Sequence, residues 1–192
     1  MDLATLHRRA VASWEDRVLT VGPGSWDSPT PCEKWSARDL VNHVVGEELW
    51  AVPLLAGSTI AEVGDRFGGD VLGADPASSA QAAAEAAVRS VDDALPRRVT
   101  VHLSYGEESA EEYVRQLVAD HLVHGWDLAA ATGGDTRLDP ELVAEVAAWF
   151  VGREDLYRGA GIIGPRVHAD PDDPQAQLIA GYGRDPNWSA TP

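Results

Sequence analysis

Long stretches of the chain repeat apolar residues every three or four positions, and shorter stretches without that period separate them. Leu3, Leu6, Ala10, Trp14 and Val18 form one stripe opposed by Arg8, Arg9, Asp16 and Arg17. This predicts a first helix over about 3–19, stopped by Gly22-Pro23-Gly24. A loop rich in Pro, Ser and Thr leads to Trp35. Ser36-Ala37-Arg38-Asp39 then pairs a capping residue with a carboxylate three positions on. Leu40, Val41, Val44, Val45 and Val52 carry a second helix from Ser36 to about Leu55. Residues 56–75 hold five glycines and no period, which reads as a long loop of the kind that often borders a site. Asp75 and Pro76 open a third, alanine-rich helix expected to end before Pro96. Val99 to Ser104 alternates with period two, as a short strand or extended segment does. A fourth helix follows from about Glu111 to Thr132, with Val114, Leu117, Val118, Leu122 and Leu128 inward and Gly133-Gly134 at its end. Asp139-Pro140-Glu141 begins a fifth, built on Leu142, Val143, Val146, Trp149 and Phe150. Beyond Gly159 the chain is turn-rich, with one last short helix expected over Gln175 to Tyr182.

Four long amphipathic helices joined by loops make an all-α helix bundle the economical architecture, with the extended segment as its one non-helical element. A length of 192 residues suits one domain. We divide it into a bundle over 1–160 and a C-terminal extension over 161–192 packed on the same domain.

Composition removes several classes of function. Fifteen Lys and Arg against 31 Asp and Glu leave a formal charge of −16, which argues against nucleic acid or an anionic membrane as partner. No apolar run reaches the roughly 18 residues a membrane helix needs, and the N-terminus has no signal-peptide core, so a cytoplasmic location is expected. Cys32 is the only cysteine, which excludes an internal disulfide and a cysteine-based zinc cluster. No His lies near it in Thr30-Pro31-Cys32-Glu33-Lys34-Trp35, and Glu33 opposes a thiolate, so a packing role is expected.

The candidate chemistry lies in Asp120-His121-Leu122-Val123-His124-Gly125-Trp126-Asp127-Leu128. Asp120 and His124, four apart, share one face of the fourth helix. Carboxylate oxygen and imidazole nitrogen are ordinary ligands of a divalent metal. His43, on the second helix, is the best third ligand. Glu47, one turn on, is either a fourth ligand, a group that orients the imidazole, or a solvated acid. Asp127 either orients His124 or faces solvent. Gly125 suggests that something packs closely against the helix. A hydrogen-bonded core histidine is the bland alternative for either His of the stretch.

Pro31-Cys32-Glu33-Lys34-Trp35-Ser36-Ala37-Arg38-Asp39-Leu40-Val41-Asn42-His43-Val44-Val45-Gly46 resembles the first signature of actinobacterial single-domain relatives of the N-terminal, metal-binding domain of mycothiol-dependent maleylpyruvate isomerase, in the DinB-like superfamily. Asp120 to Gly133, around His124-Gly125-Trp126-Asp127-Leu128-Ala129, resembles the second. The stretch from Asp173-Pro174-Gln175 to Gly183-Arg184-Asp185-Pro186-Asn187-Trp188 looks like the ending of that branch. The resemblance implies a DinB-like four-helix bundle with additional C-terminal helices. It also implies a divalent metal (zinc first, nickel or manganese as alternatives) held by His43, Asp120 and His124. Asp120 stands where the isomerase pattern has Glu, and His121 is the substitute should the helix be rotated. The implied co-substrate is mycothiol, and the implied activity a metal-dependent isomerase or S-transferase acting on a small electrophile. A non-catalytic metal- or thiol-binding protein on the same scaffold is the alternative. A homodimer is the oligomeric state to test.

Overall fold

The computed structural model describes residues 1–190. Its helices are α1 (Leu3–Leu19), α2 (Ala37–Leu55), α3 (Ile60–Val63), α4 (Pro76–Arg97), α5 (Ala110–Thr132), α6 (Pro140–Phe150), α7 (Glu154–Gly159) and α8 (Pro174–Gly181). A hairpin of β1 (Thr100–Leu103) and β2 (Gly106–Ser109) joins α4 to α5. The protein is thus mostly α, as the periodicity predicts. α1 packs chiefly on α5 and α2 on α4, and the cross-contacts α1–α4 and α2–α5 close a four-helix bundle; α8 packs on α6, which itself lies on α5.

The caps explain where the helices begin. Ser36 Oγ accepts from Asp39 N–H at 3.2 Å while Asp39 accepts from Ser36 N–H at 3.0 Å, so the predicted box forms with Asp in the place usual for Glu. Asp75, Ser109, Asp139 and Asp173 cap α4, α5, α6 and α8 in the simpler one-sided way. α4 runs one residue past Pro96 rather than ending before it. The hydrogen bond that Pro96 deletes is to the carbonyl of Asp92, an exposed residue near the helix end, where the loss is cheap.

Three elements go beyond the sequence expectation. β2 pairs antiparallel with β1, His102 opposite Glu107, although Gly-Glu-Glu-Ser has no apolar phase to announce a strand. α3 is a single capped turn inside the long loop, with Thr59 and Glu62 bonding each other's backbones. α7 buries none of its residues, so no apolar stripe marks it.

α5 lies at the centre, with sixteen of its 23 residues buried. One inward side carries a polar pair. His121 is 1 % exposed, its Nδ1–H donates to the Leu117 carbonyl at 2.6 Å, and its Nε2 meets Glu48 Oε1 at 2.9 Å. Leu117 offers only an acceptor, so Nδ1 must carry a proton, and His121 and Glu48 share the other one. Burial raises the Glu48 pKa. Burial opposes a charged His121 too, but the bond to Glu48 outweighs it and raises the histidine's pKa. His7 stands edge-on to His121, ring centroids 5.8 Å apart, fully buried, and neither ring nitrogen meets a partner among the described residues.

Gly125 sits under the Arg17 side chain, where an added Cβ would meet Arg17 Cδ at 3.5 Å. That is ordinary contact, so the glycine is not required by close backbone packing. Gly125→Ala is expected to leave the fold intact and to stabilise it by up to about 1 kcal/mol through helix propensity, as chemical denaturation would report. His7 yields a pH prediction. Burial, then the neighbouring His121, depresses its pKa from 6.5 to about 3, so across that window the unfolded chain takes up a proton that the folded chain refuses. Stability contributed by neutral His7 is therefore present above the window and lost as pH falls through it, at about 1.4 kcal/mol per pH unit. Urea unfolding at several pH values should show His7→Leu with a shallower acid decline than the parent; equal slopes would contradict the assignment.

Candidate metal centre

Helices α2 and α5 face each other where His43 meets Asp120 and His124. His43 Nε2 is 3.4 Å from Asp120 Oδ2, and His124 Nε2 is 3.6 Å from Asp120 Oδ1. One donor atom from each of the three residues lies within 4.8 Å of both others. The histidine rings stand nearly perpendicular, centroids 5.2 Å apart. Trp35 packs on both, 4.7 Å from the His43 ring and 5.9 Å from that of His124, and so walls one side. The three side chains grade from buried His124 to half-buried His43 and Asp120. Burial opposes the Asp120 charge, but His124 and His43 outweigh it and hold the carboxyl well below its usual range. Burial likewise opposes a charged His43, and the Asp120 bond more than reverses that.

Behind His124 lies a second layer. Asp127, one turn on and fully buried, is 3.0 Å through Oδ2 from His124 Nδ1. Burial works against the Asp127 charge, and Arg184, then the His124 bond, bring its pKa below the ordinary value. The Arg184 guanidinium donates from Nη2 to Asp127 Oδ2 at 3.0 Å and to Cys32 Sγ at 3.1 Å. The Cys32 thiol in turn donates to Asp127 Oδ2 at 3.2 Å, and His124 Nδ1 is 4.0 Å from the sulfur. Cys32 therefore has a buried acid, a cation and an imidazole around it, where its sequence neighbours supply no imidazole. Asp127 faces the interior rather than solvent. Burial, then the Asp127 charge, pushes the Cys32 thiol up to about 12, so it stays protonated at neutral pH.

His121 is not part of this set: its ring is taken up by the bonds to the Leu117 carbonyl and Glu48. Glu47 makes no hydrogen bond to the triad; burial, then the Asp120 charge, raises its pKa. It lines a cavity of about 480 Å³ that reaches His43 and is walled by Trp35, Trp50 and Phe67, with Lys34 at its edge. The 56–75 loop forms one wall of that cavity rather than a cover over the triad. Asn42 fixes it there, donating to the Gly69 carbonyl and accepting from Val71 N–H, both at 2.9 Å. Spacing along the chain pointed to His43, Asp120 and His124; it gave no sign of Trp35, Cys32 or Arg184 as members of the site.

Among the described residues no helix is long and apolar enough to cross a membrane. The family model for the mycothiol maleylpyruvate isomerase N-terminal domain matches residues 7–129, more than half of the chain. Two uncharacterized proteins of Mycobacterium tuberculosis, from strains CDC 1551 / Oshkosh and ATCC 25618 / H37Rv, are each 35% identical over 164 residues, covering 84% of this chain and 85% of their own length. No solved structure matches. The chain belongs to the family of the mycothiol maleylpyruvate isomerase N-terminal domain.

Proposed function

We propose that the protein holds one divalent cation through His43, Asp120 and His124, zinc being the best fit, and uses it in a mycothiol-dependent isomerisation or S-transfer on a small electrophile. The observation that carries this reading is the convergence of one donor atom from each of His43, Asp120 and His124, all within 4.8 Å of one another across two facing helices. Asp127 also takes the Arg184 and Cys32 donors and acts as an acceptor, so His124 Nδ1 carries a proton and Nε2 is the atom that faces the Asp120 carboxylate at 3.6 Å. A neutral imidazole in that position offers its Nε2 lone pair to a cation, and the Asp120 carboxylate adds a charge. The spacing suits a metal. Donors about 2.0–2.1 Å from a tetrahedral zinc stand about 3.3–3.4 Å apart, and the three donor atoms here, within 4.8 Å of one another, need only small side-chain adjustments to reach that spacing. The shorter Asp in place of Glu is no obstacle at these distances.

Three protein donors leave a fourth position open, as in catalytic rather than structural zinc sites. A cation there supplies one thing: it stabilises the deprotonated form of a thiol that enters the open position. The rest is the work of the chain. Trp35 shields the imidazoles, Asn42 holds the loop wall, and the open cavity beside His43, lined by Glu47 and Asn42 as well as by aromatic rings, gives a small substrate an approach.

Metal content tests the first half. Protein purified without chelator and reconstituted with zinc should carry about one ion per chain; His43→Ala and His124→Ala should each lose it, while His102→Ala and His168→Ala keep it. No bound metal in the parent would overturn the reading. Mycothiol titrated into cobalt-loaded protein should raise a saturable sulfur-to-cobalt absorption band that His124→Ala lacks; cobalt binding without that band would refute the thiol chemistry and leave the metal site standing. Cys32 is assigned no nucleophilic role, since its thiol stays protonated. Cys32→Ser should keep metal stoichiometry and thiol-dependent turnover within about tenfold, and a loss beyond a hundredfold, about 2.7 kcal/mol at the transition state, would place the nucleophile there.

A further inference from the structure

Arg184 lies well beyond residue 129, where the family match ends, yet its side chain is only 13 % exposed and reaches the layer directly behind His124. The tail is built to deliver it. α8 buries Leu178, Ile179 and Ala180, and Tyr182 stacks on Phe150 with ring centroids 4.1 Å apart. The chain then turns at Gly183, whose φ of +81° disfavours a side chain and whose missing Cβ would come within 3.0 Å of the Gly164 backbone. Arg184 N–H bonds the Ile179 carbonyl at 3.1 Å, and its Nη1 donates to the Tyr182 carbonyl at 2.9 Å. Backbone and side chain are both tied before the guanidinium meets Asp127.

We propose that Arg184, acting through Asp127, is a positioning residue of the centre: it anchors the buried carboxylate that fixes His124 with Nδ1 protonated and Nε2 free toward His43 and Asp120. The inference rests on the metal reading for its purpose, not for its geometry. Asp127 is fully buried and needs a counter-charge to stay in place as an acceptor. Arg184 supplies it at several points, with Nη2 at 3.0 Å from Oδ2 and Nε at 3.3 Å from both oxygens. With Oδ2 held, the bond from His124 Nδ1–H fixes both the tautomer and the ring rotation. Carboxylates that orient a ligating histidine in this way commonly change metal affinity 10- to 100-fold when removed. Arg184 sits one step further out, as the support of that carboxylate. Cys32, which takes an Arg184 donor on its sulfur and gives its own proton to Asp127, closes the same cluster from the loop before α2.

The test uses the full-length chain with two readouts. The first is zinc affinity by chelator competition for the parent, Arg184→Gln, Asp127→Asn and the double variant. The second is the His124 tautomer in metal-free protein with ¹⁵N-labelled histidine, read from long-range ¹H–¹⁵N spectra. We expect Arg184→Gln to raise the zinc Kd about 10- to 100-fold and to turn a single Nδ1–H form of His124 into a mixture, with no further loss when it is added to Asp127→Asn. Parent affinity and an unchanged tautomer in Arg184→Gln, with His124→Ala still unable to bind zinc, would overturn the proposal. If the parent binds no zinc the metal reading fails, and the tautomer alone decides this one: retained Nδ1–H in Arg184→Gln overturns it and a mixture supports it. Should Arg184→Gln not fold, Arg184→Lys takes its place, keeping a cation but not the multi-point hold. A several-fold rise in Kd then supports the proposal and parent affinity overturns it.

Discussion

Helix α5 is buried on nearly every side, and each polar group it carries inward must find a partner there. This requirement orders the molecule. Asp120, His121, His124 and Asp127 lie within eight residues, and each is met by a partner from another element. His121 turns to Glu48 on α2, and Asp120 and His124 turn to His43 on the same helix, five residues earlier. Asp127 turns to Arg184 in the tail and Cys32 in the loop before α2. α2 packs on α5 with a histidine and a glutamate that meet two different polar groups of it. The tail is placed where it can reach a carboxylate that would otherwise be stranded.

The two histidines of α5 show how a three-residue offset separates structure from chemistry. His121 is enclosed, bonded at both nitrogens and paired with an acid that shares its proton, so it has no lone pair to offer. His124 is bonded at Nδ1 only, and its Nε2 looks toward a half-buried carboxylate, a second imidazole and the neighbourhood of a cavity. An identical side chain is a core residue in one place and a candidate ligand in the other, because the groups around it differ in what they leave free.

What could be read from the sequence follows from range. The 3.6-residue periods and the caps place five of the helices within a residue or two, because those signals are local. The i,i+4 spacing of Asp120 and His124 is local as well, which is why the pair stands out. His43 needed a guess about which helices face each other, and a bundle permits few answers. The order of His121 and His124 around the helix was less legible, since both border apolar residues and periodicity cannot say which neighbour waits on each side. The surroundings of Cys32 are illegible in the sequence for the same reason. Its acid and imidazole are Asp127 and His124, more than ninety residues away, and its cation is 152 residues away. Arg184 in the sequence is one more charge in a turn-rich tail, and only the packing of α8 and the turn at Gly183 show where it goes.

The charges around the proposed centre explain why two carboxylates so near it are treated differently. The overall charge of −16 gives a small anionic partner no general attraction, so the local balance must be favourable. Asp127 is cancelled by Arg184, with which it forms a pair that is neutral overall. Burial, then the Asp120 charge, raises the Glu47 pKa and so lessens its tendency to add a negative charge beside the triad. A divalent cation held there, as proposed, would then face Asp120 alone and keep one positive charge, which is what a thiolate would neutralise. Had Asp127 no counter-ion, the centre would be neutral before any thiol arrived and the pull on an anionic ligand would be lost. On the proposed reading the guanidinium in the tail bears on the electrostatics of the site as well as on the orientation of His124.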